Sequence, residues 1–219
     1  MDLIGYRGKS STESASGGCP RQPRIIDNAT DDYDLALVKR IRAQEEDWEL
    51  AFEQLVMKYQ HSVLNTIYRY IGNYNEAEDI AQNVFIKVWH KIKTFKKKAK
   101  FSTWLYRIVV NQCLDYQRKK KKEGTVSLDD KLSEEKIPES LTVELDSEQK
   151  KKSAIIKQAI NELPANQRIA LILSKYENKS YQEIADIMGI SLGAVAALIS
   201  RAKESLKTKL IPLREKGII

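Results

Sequence analysis

Two groups of residues in this chain have types and spacings suited to a polyanionic partner. In the first, Lys97, Lys98 and Lys100 lie in a short loop, KTFKKKAKF, followed by Trp104, Arg107, Asn111, Arg118 and Lys119. Cations track phosphates while rings or apolar pockets hold bases, which is the combination that single-stranded nucleic acid requires. Asn111 can then hydrogen-bond the edge of an extruded base. Phe101 and Trp104 serve equally well as core residues, so the rings alone do not decide their use. In the second group, Ile184, Ala185, Met188, Gly189, Ile190, Val195 and Leu198 fit a helix-turn-helix. Ala185 is small where two helices cross, and Gly189 sits in the turn, where a positive φ costs glycine little. Ser191 caps a second helix shaped for a major groove.

That second helix offers Gly193, Ala194, Ala196, Ala197, Ser200, Arg201 and Lys203 on its outer positions. Direct base reading favours Arg, Asn or Gln in bidentate contact, and its first turns carry none of them. Close approach to phosphates and thymine methyls, or reading of DNA shape, is the expected mode. Such a module binds weakly alone and needs a second anchor.

The elements that position these groups follow from hydrophobic periodicity. Leu35, Leu37, Val38 and Ile41 mark a short helix capped by Asp31 or Asp32, and a longer one runs from Trp48 to Ile71, ending at Gly72-Asn73. The stretch NEAEDIAQNVFIKVWHKI repeats apolar residues at Ala77, Ile80, Ala81, Val84, Phe85, Val88, Trp89 and Ile92, a one-sided helix, with Asn75 and Glu78 as its capping box. Asp79, Gln82, Asn83, Ile86 and Lys87 occupy its other face. The next helix starts with Ser102 as N-cap and stacks Arg107, Asn111 and Arg118 on one arc. The fold class is therefore all-α: two small helical domains, 32–122 and 150–212, with the helix-turn-helix in the second. A flexible acidic linker, 123–149, joins them, and 1–31 is a disordered tail.

The 219 residues carry a formal charge of +7. No apolar run approaches the roughly 20 residues of a membrane span, and Met1 to Arg24 has no signal-peptide core. Cys19 and Cys113 read as reduced thiols, and His61 and His90 as solvated. Neither metal carboxylates, a nucleophile with its base, nor a phosphate loop is assembled, so catalysis is not expected, nor any cofactor or metal. A stand-alone regulator would bind duplex DNA unaided, usually as a dimer on a palindromic site. No sensor domain or dimerisation heptad supports that alternative. A pure interaction protein would tolerate neutral residues in place of the loop lysines.

AEDIAQNVFIKVWHKI, FSTWLYRIVVNQCLDYQRKKK and LPANQRIALILSKYENKSYQEIADIMGISLGAVAALISRAK together resemble bacterial sigma factors of the extracytoplasmic-function group, from about Asp32 to Leu210. The resemblance implies a cytoplasmic, dissociable subunit that directs core RNA polymerase to promoter DNA. It implies that Asp79, Gln82, Asn83, Ile86 and Lys87 grip the clamp helices of the largest polymerase subunit, and that the second domain meets the flap. Lys97, Lys98, Lys100, Trp104, Arg107, Asn111, Arg118 and Lys119 would serve the melted −10 element. The acidic linker would thread the RNA-exit path. Arg168, Lys179, Ser191, Gly193, Ala194, Ala196, Ala197, Ser200, Arg201 and Lys203 would serve the −35 element. An anti-sigma protein is implied as a further partner. Many family members carry Thr, Lys and Arg where this chain has Ala194, Ala196 and Leu198, so that group's promoter preference does not transfer, and Ala196 and Ala197 imply a softer −35 requirement. Replacing Lys97, Lys98 and Lys100 by Ala should impair promoter opening while sparing polymerase binding. Permanganate footprinting across a salt series checks it, and the log–log salt slope should flatten by up to about 2 for three lost phosphate contacts.

Overall fold

The computed structural model describes residues 27–96, 99–122 and 147–218. The tail before Asp27, Lys97, Lys98 and the acidic stretch 123–146 therefore lie outside the described residues. All regular structure among the described residues is helical.

The first unit holds α1 (Asp27–Ala43), α2 (Trp48–Ile71), α3 (Tyr74–Lys91), a short 3-10 turn (Ile92–Thr94) and α4 (Phe101–Lys122). Ala51, Leu55, Val63, Ile67 and Tyr70 keep near-fourfold spacing along α2, so they form one stripe, and all are buried. They meet Leu37, Val38 and Ile41 of α1, Val84 and Val88 of α3, and Leu105, Val109 and Cys113 of α4 in one apolar core. Burial pushes the Cys113 thiol up to about 12, so it packs as a small apolar group. Asp34 of α1 is buried among these helices, but it is not left alone: Lys58 donates to it at 2.5 Å and Tyr59 donates to its other oxygen. A buried carboxylate is tolerable only with such partners.

Four boundaries differ from the sequence reading. Helix α1 begins at Asp27 instead of after Asp31 or Asp32, and Asp31 pairs with Lys100 at 2.8 Å. The α3 N-cap is Asn73, whose side chain accepts from the Glu76 N–H at 2.9 Å. Asn73 and Glu76 repeat the spacing of Asn75 and Glu78, and the earlier start buries Tyr74. Helix α4 includes Ser102 and starts at Phe101, which is anchored by the Phe95 and Tyr59 rings at 5.8 and 5.7 Å. Helix α5 begins at Ser147, three residues inside the expected linker, where Glu148 pairs with Lys152 at 2.9 Å.

The second unit holds α5 (Ser147–Asn161), α6 (Ala165–Lys175), α7 (Tyr181–Met188) and α8 (Leu192–Glu215). Pro164 supplies the N-cap position of α6. Five successive α6 residues, Ile169 to Leu173, are buried, because α6 packs on α7 and α8 on one side and on α2 and α4 on the other. The two units are thus in contact.

Gly189 ends α7 with φ +67°, and its N–H donates to Ala185 O at 2.8 Å. A Cβ there would meet nothing within 4 Å, so Gly189→Ala should lose only the backbone preference, about 1 kcal/mol. Gly193, helical and equally open, should gain up to about 1 kcal/mol as Ala. Chemical denaturation of both variants checks the opposite signs.

Candidate nucleic-acid interface

Helices α7 and α8 turn through 104° about Gly189 and Ile190, the angle of a helix-turn-helix. The bend is fixed at both ends. Ser180 accepts from the Glu183 N–H at 3.2 Å, while the Glu183 carboxylate accepts from the Ser180 N–H at 2.9 Å, a complete capping box. The Ser191 hydroxyl caps α8 by accepting from the Ala194 N–H at 3.2 Å. Ile184, Ala185 and Val195 are buried as the sequence required, and Met188, Ile190 and Leu198 pack against them. Ile187 joins this core too.

Ser191, Gly193, Ala196, Ala197, Ser200, Arg201 and Lys203 are exposed on α8, and Ala194 is half-buried. They do not share one face. Ala194, Ala197 and Arg201 look toward α4, whereas Lys203 borders a separate apolar groove with Leu206 and Leu210. Two expected phosphate contacts are engaged elsewhere. Arg168 is only 7 % exposed and donates to Tyr70 O at 2.9 Å across the units. Its place on the α2-facing side of α6 turns it away from solvent, and burial lowers its pKa. The Lys179 ammonium lies 5.2 Å from the centre of the Tyr106 ring.

On α4, Arg107, Asn111 and Arg118 share an exposed arc, as the spacing required, and Lys119 is exposed beside it. Arg118 pairs with Asp115 at 2.6 Å, and Arg107 Nε donates to Asp186 O of α7 at 2.5 Å. Trp104 is half-buried, stacked near Phe95 and Phe101 at 5.5 and 5.7 Å. Phe101 itself is core.

The predicted face of α3 is exposed at Asp79, Gln82, Asn83, Ile86 and Lys87. Asn83 donates to the Asp79 carbonyl at 2.9 Å. Gln82 and Ile86 reach further, into a groove of about 830 Å³ between α2 and α3. Its apolar wall is Trp48, Phe52, Phe85 and Trp89, with Trp89 at 4.8 Å from Trp48 and 4.9 Å from Phe52. Trp89, read from the sequence as an inward residue, is 37 % exposed here, and Ile86 is 54 % exposed. Periodicity missed Trp48 and Phe52 as surface residues because a stripe wide enough for both core and groove looks like core throughout. The second groove, about 370 Å³, lies between α5, α6 and α8 and is lined by Ile160, Leu171, Tyr176 and Leu206. Among the described residues no His, Cys, Asp or Glu cluster is arranged to hold a metal. No single described helix is long and apolar enough to cross a membrane.

Residues 55–123 match the family model of sigma-70 region 2, and residues 153–206 match that of sigma-70 region 4. The chain is 34% identical to the ECF RNA polymerase sigma factor SigW of Bacillus subtilis, over 81% of this chain and 98% of that protein. It is 32% identical to the RNA polymerase sigma-H factor of Pseudomonas aeruginosa, over 84% and 97% respectively. Among solved structures it is similar to the sigma factor RpoE of Bartonella quintana in complex with the anti-sigma factor NepR. That match has TM-score 0.57 and 26% identity and covers 73% of this chain and 96% of that one.

The capping box makes the helix-turn-helix sensitive to acid. Burial opposes ionisation of Glu183, yet the Ser180 N–H and hydroxyl outweigh it and hold its pKa below the usual carboxylate value. A group depressed on folding stabilises fully above its unfolded pKa and loses that contribution as pH falls through the folded one. Thermal unfolding followed between pH 6 and roughly pH 3 should therefore show a stability loss that Glu183→Gln flattens.

Proposed function

The chain belongs to the extracytoplasmic-function group of the sigma-70 family of RNA polymerase sigma factors, and on that premise we propose how its surfaces divide the work of promoter recognition and opening. The observation that carries the proposal is the open aromatic groove between α2 and α3, on the same unit as the cationic arc of α4. An exposed apolar groove of this kind marks a protein docking site. Helical coiled-coil ridges of the polymerase clamp fit it, with Ile86 and Trp89 as the buried anchors and Asp79, Asn83 and Lys87 at the polar rim. Burying each large apolar side chain contributes about 1.5–3 kcal/mol. The groove between α5, α6 and α8 receives the polymerase flap, and its lysine rim, Lys175, Lys203 and Lys207, suits an acidic partner edge.

Docked in this way, α4 presents Asn111 to an extruded base of the −10 element, while Arg107, Arg118 and Lys119 follow the backbone. Unstacking duplex DNA is uphill by roughly 1.4 kcal/mol per step, and one captured base returns about 1–3 kcal/mol. A single capture starts a bubble but does not sustain it, so opening depends on the polymerase. The helix-turn-helix places α8 against the −35 duplex. Gly193, Ala194, Ala196 and Ala197 allow close approach, and Ser200 and Arg201 contact the backbone, which gives the softer −35 dependence. The chain acts by binding, without catalysis of its own, in the cytoplasm where polymerase works. An anti-sigma protein covering these surfaces is its expected regulator.

Run-off transcription on fragmented DNA from the source organism, with the chain alone and with core polymerase, tests this role. New transcripts and specific footprints are expected only with both proteins present. Footprints by the chain alone without initiation would instead mark a stand-alone regulator. Ile86→Glu, at an exposed site, should keep the fold and weaken core binding by at least about tenfold, the equivalent of about 1.4 kcal/mol.

A further inference from the structure

The basic loop before α4 is held at both stems by α1, a helix outside the two DNA-facing groups. At the first stem, the Arg42 guanidinium donates to Phe95 O at 3.2 Å. At the second, the Asp31 carboxylate pairs with the Lys100 ammonium at 2.8 Å. Asp31 and Arg42 lie about three helical turns apart on α1, so they share one face. That face is fixed in register on α2, because the buried Asp34, one turn from Asp31, accepts from Lys58 at 2.5 Å and from Tyr59. The stems are also braced from within. Phe95 and Phe101 are both buried, 5.8 Å apart, and each packs on Trp104.

Lys100 has an electrostatic reason to need Asp31. Its carbonyl accepts the Trp104 N–H at 3.2 Å, which puts Lys100 at the cap position of α4. A helix N-terminus carries partial positive charge and favours an anion. Here that position holds a cation, and the first turn of α4 contains no acidic residue. Asp31 brings the missing negative charge from another helix. Glu183 of α7 also feels the Lys100 charge, but its carboxylate is bound to the Ser180 N–H and hydroxyl. The Asp31 and Lys100 side chains are 20 % and 38 % exposed, so the pair fixes geometry more than it adds stability.

We infer that α1 straps the basic loop: Asp31 and Arg42 are positioning residues that set where its two stems, Phe95 and Lys100, stand. Phosphate contacts fix the register in which a base is read. With Asp31 lost, Lys100 still attracts phosphate, but from no defined position, so preference for sequence falls while general affinity does not. The −10 role of this surface rests on the proposed function; the strap does not.

The test compares the full chain with Asp31→Asn, Asp31→Glu and Arg42→Met. All should keep the helical circular dichroism and core-polymerase affinity of the wild type. In the free chain, hydrogen exchange at the Phe95 and Trp104 amides reads the stems. Assembled with core polymerase, each form is titrated with a fluorescent single strand carrying the −10 sequence mapped from run-off transcripts, and with a scrambled strand. Asp31→Asn and Arg42→Met should exchange faster at the stems and bind the −10 strand about two- to fivefold more weakly, the scale of a charge at a helix terminus. Asp31→Asn should lose no affinity for the scrambled strand, and Asp31→Glu should restore the preference. Equal loss on both strands, tighter binding of both with the preference intact, or unchanged stem exchange would each overturn the inference. If the wild type yields no transcripts or shows no −10 preference, the promoter reading fails, and hydrogen exchange alone decides the strap.

Discussion

Helix α6 is buried on more sides than its own unit can cover. A helix packed on one neighbour hides a stripe, and its remaining face meets water. Ile169, Ala170, Leu171, Ile172 and Leu173 are all buried in succession, which takes packing from opposite directions. One direction is supplied by α7 and α8, the other by α2 and α4 of the first unit. The position of Glu177 and the inward turn of Arg168 both depend on where this one helix lies. Apolar α6 surface that packs on the first unit would meet water if the units parted, so the observed contact has a driving force before any polar contact is counted.

The sequence made the helix-turn-helix legible because its geometry imposes steric demands at fixed positions. A small residue where helices cross and a glycine at positive φ leave few alternatives, and Ala185 and Gly189 occupy those places. The arc of Arg107, Asn111 and Arg118 was legible for a similar reason, since helical spacing alone sets it. Trp89 was not. Amphipathic periodicity separates apolar from polar faces, but it does not separate residues that pack inside the chain from those that wait for another chain. Trp48, Phe52 and Trp89 make a surface from residue types that read as core.

The cross-unit contacts were illegible for a different reason. Thr66 and Glu177 are 111 residues apart, and Tyr106 and Glu177 are 71 apart. Neither pair has a local pattern to announce it. Arg168 shows the consequence. Its residue type suits a phosphate contact, yet its direction is decided by a surface that only tertiary packing creates. Helix boundaries moved for local reasons of the same kind, as where burial of Tyr74 selected Asn73 over Asn75 as the cap.

The contact between the units carries its own counterweight. Glu177 meets its donors well, but Arg168 is buried without a carboxylate in its contacts, and its Nε has no hydrogen-bond partner. Burial of a cation on carbonyl and ring contacts alone is costly, and the lowered pKa of Arg168 reflects that burial. Separating the units would hydrate the guanidinium, while it would remove Glu177 from Thr66 and Tyr106. The two charges therefore pull the equilibrium in opposite directions. A partner shifts such an equilibrium only by its difference in affinity for the two states.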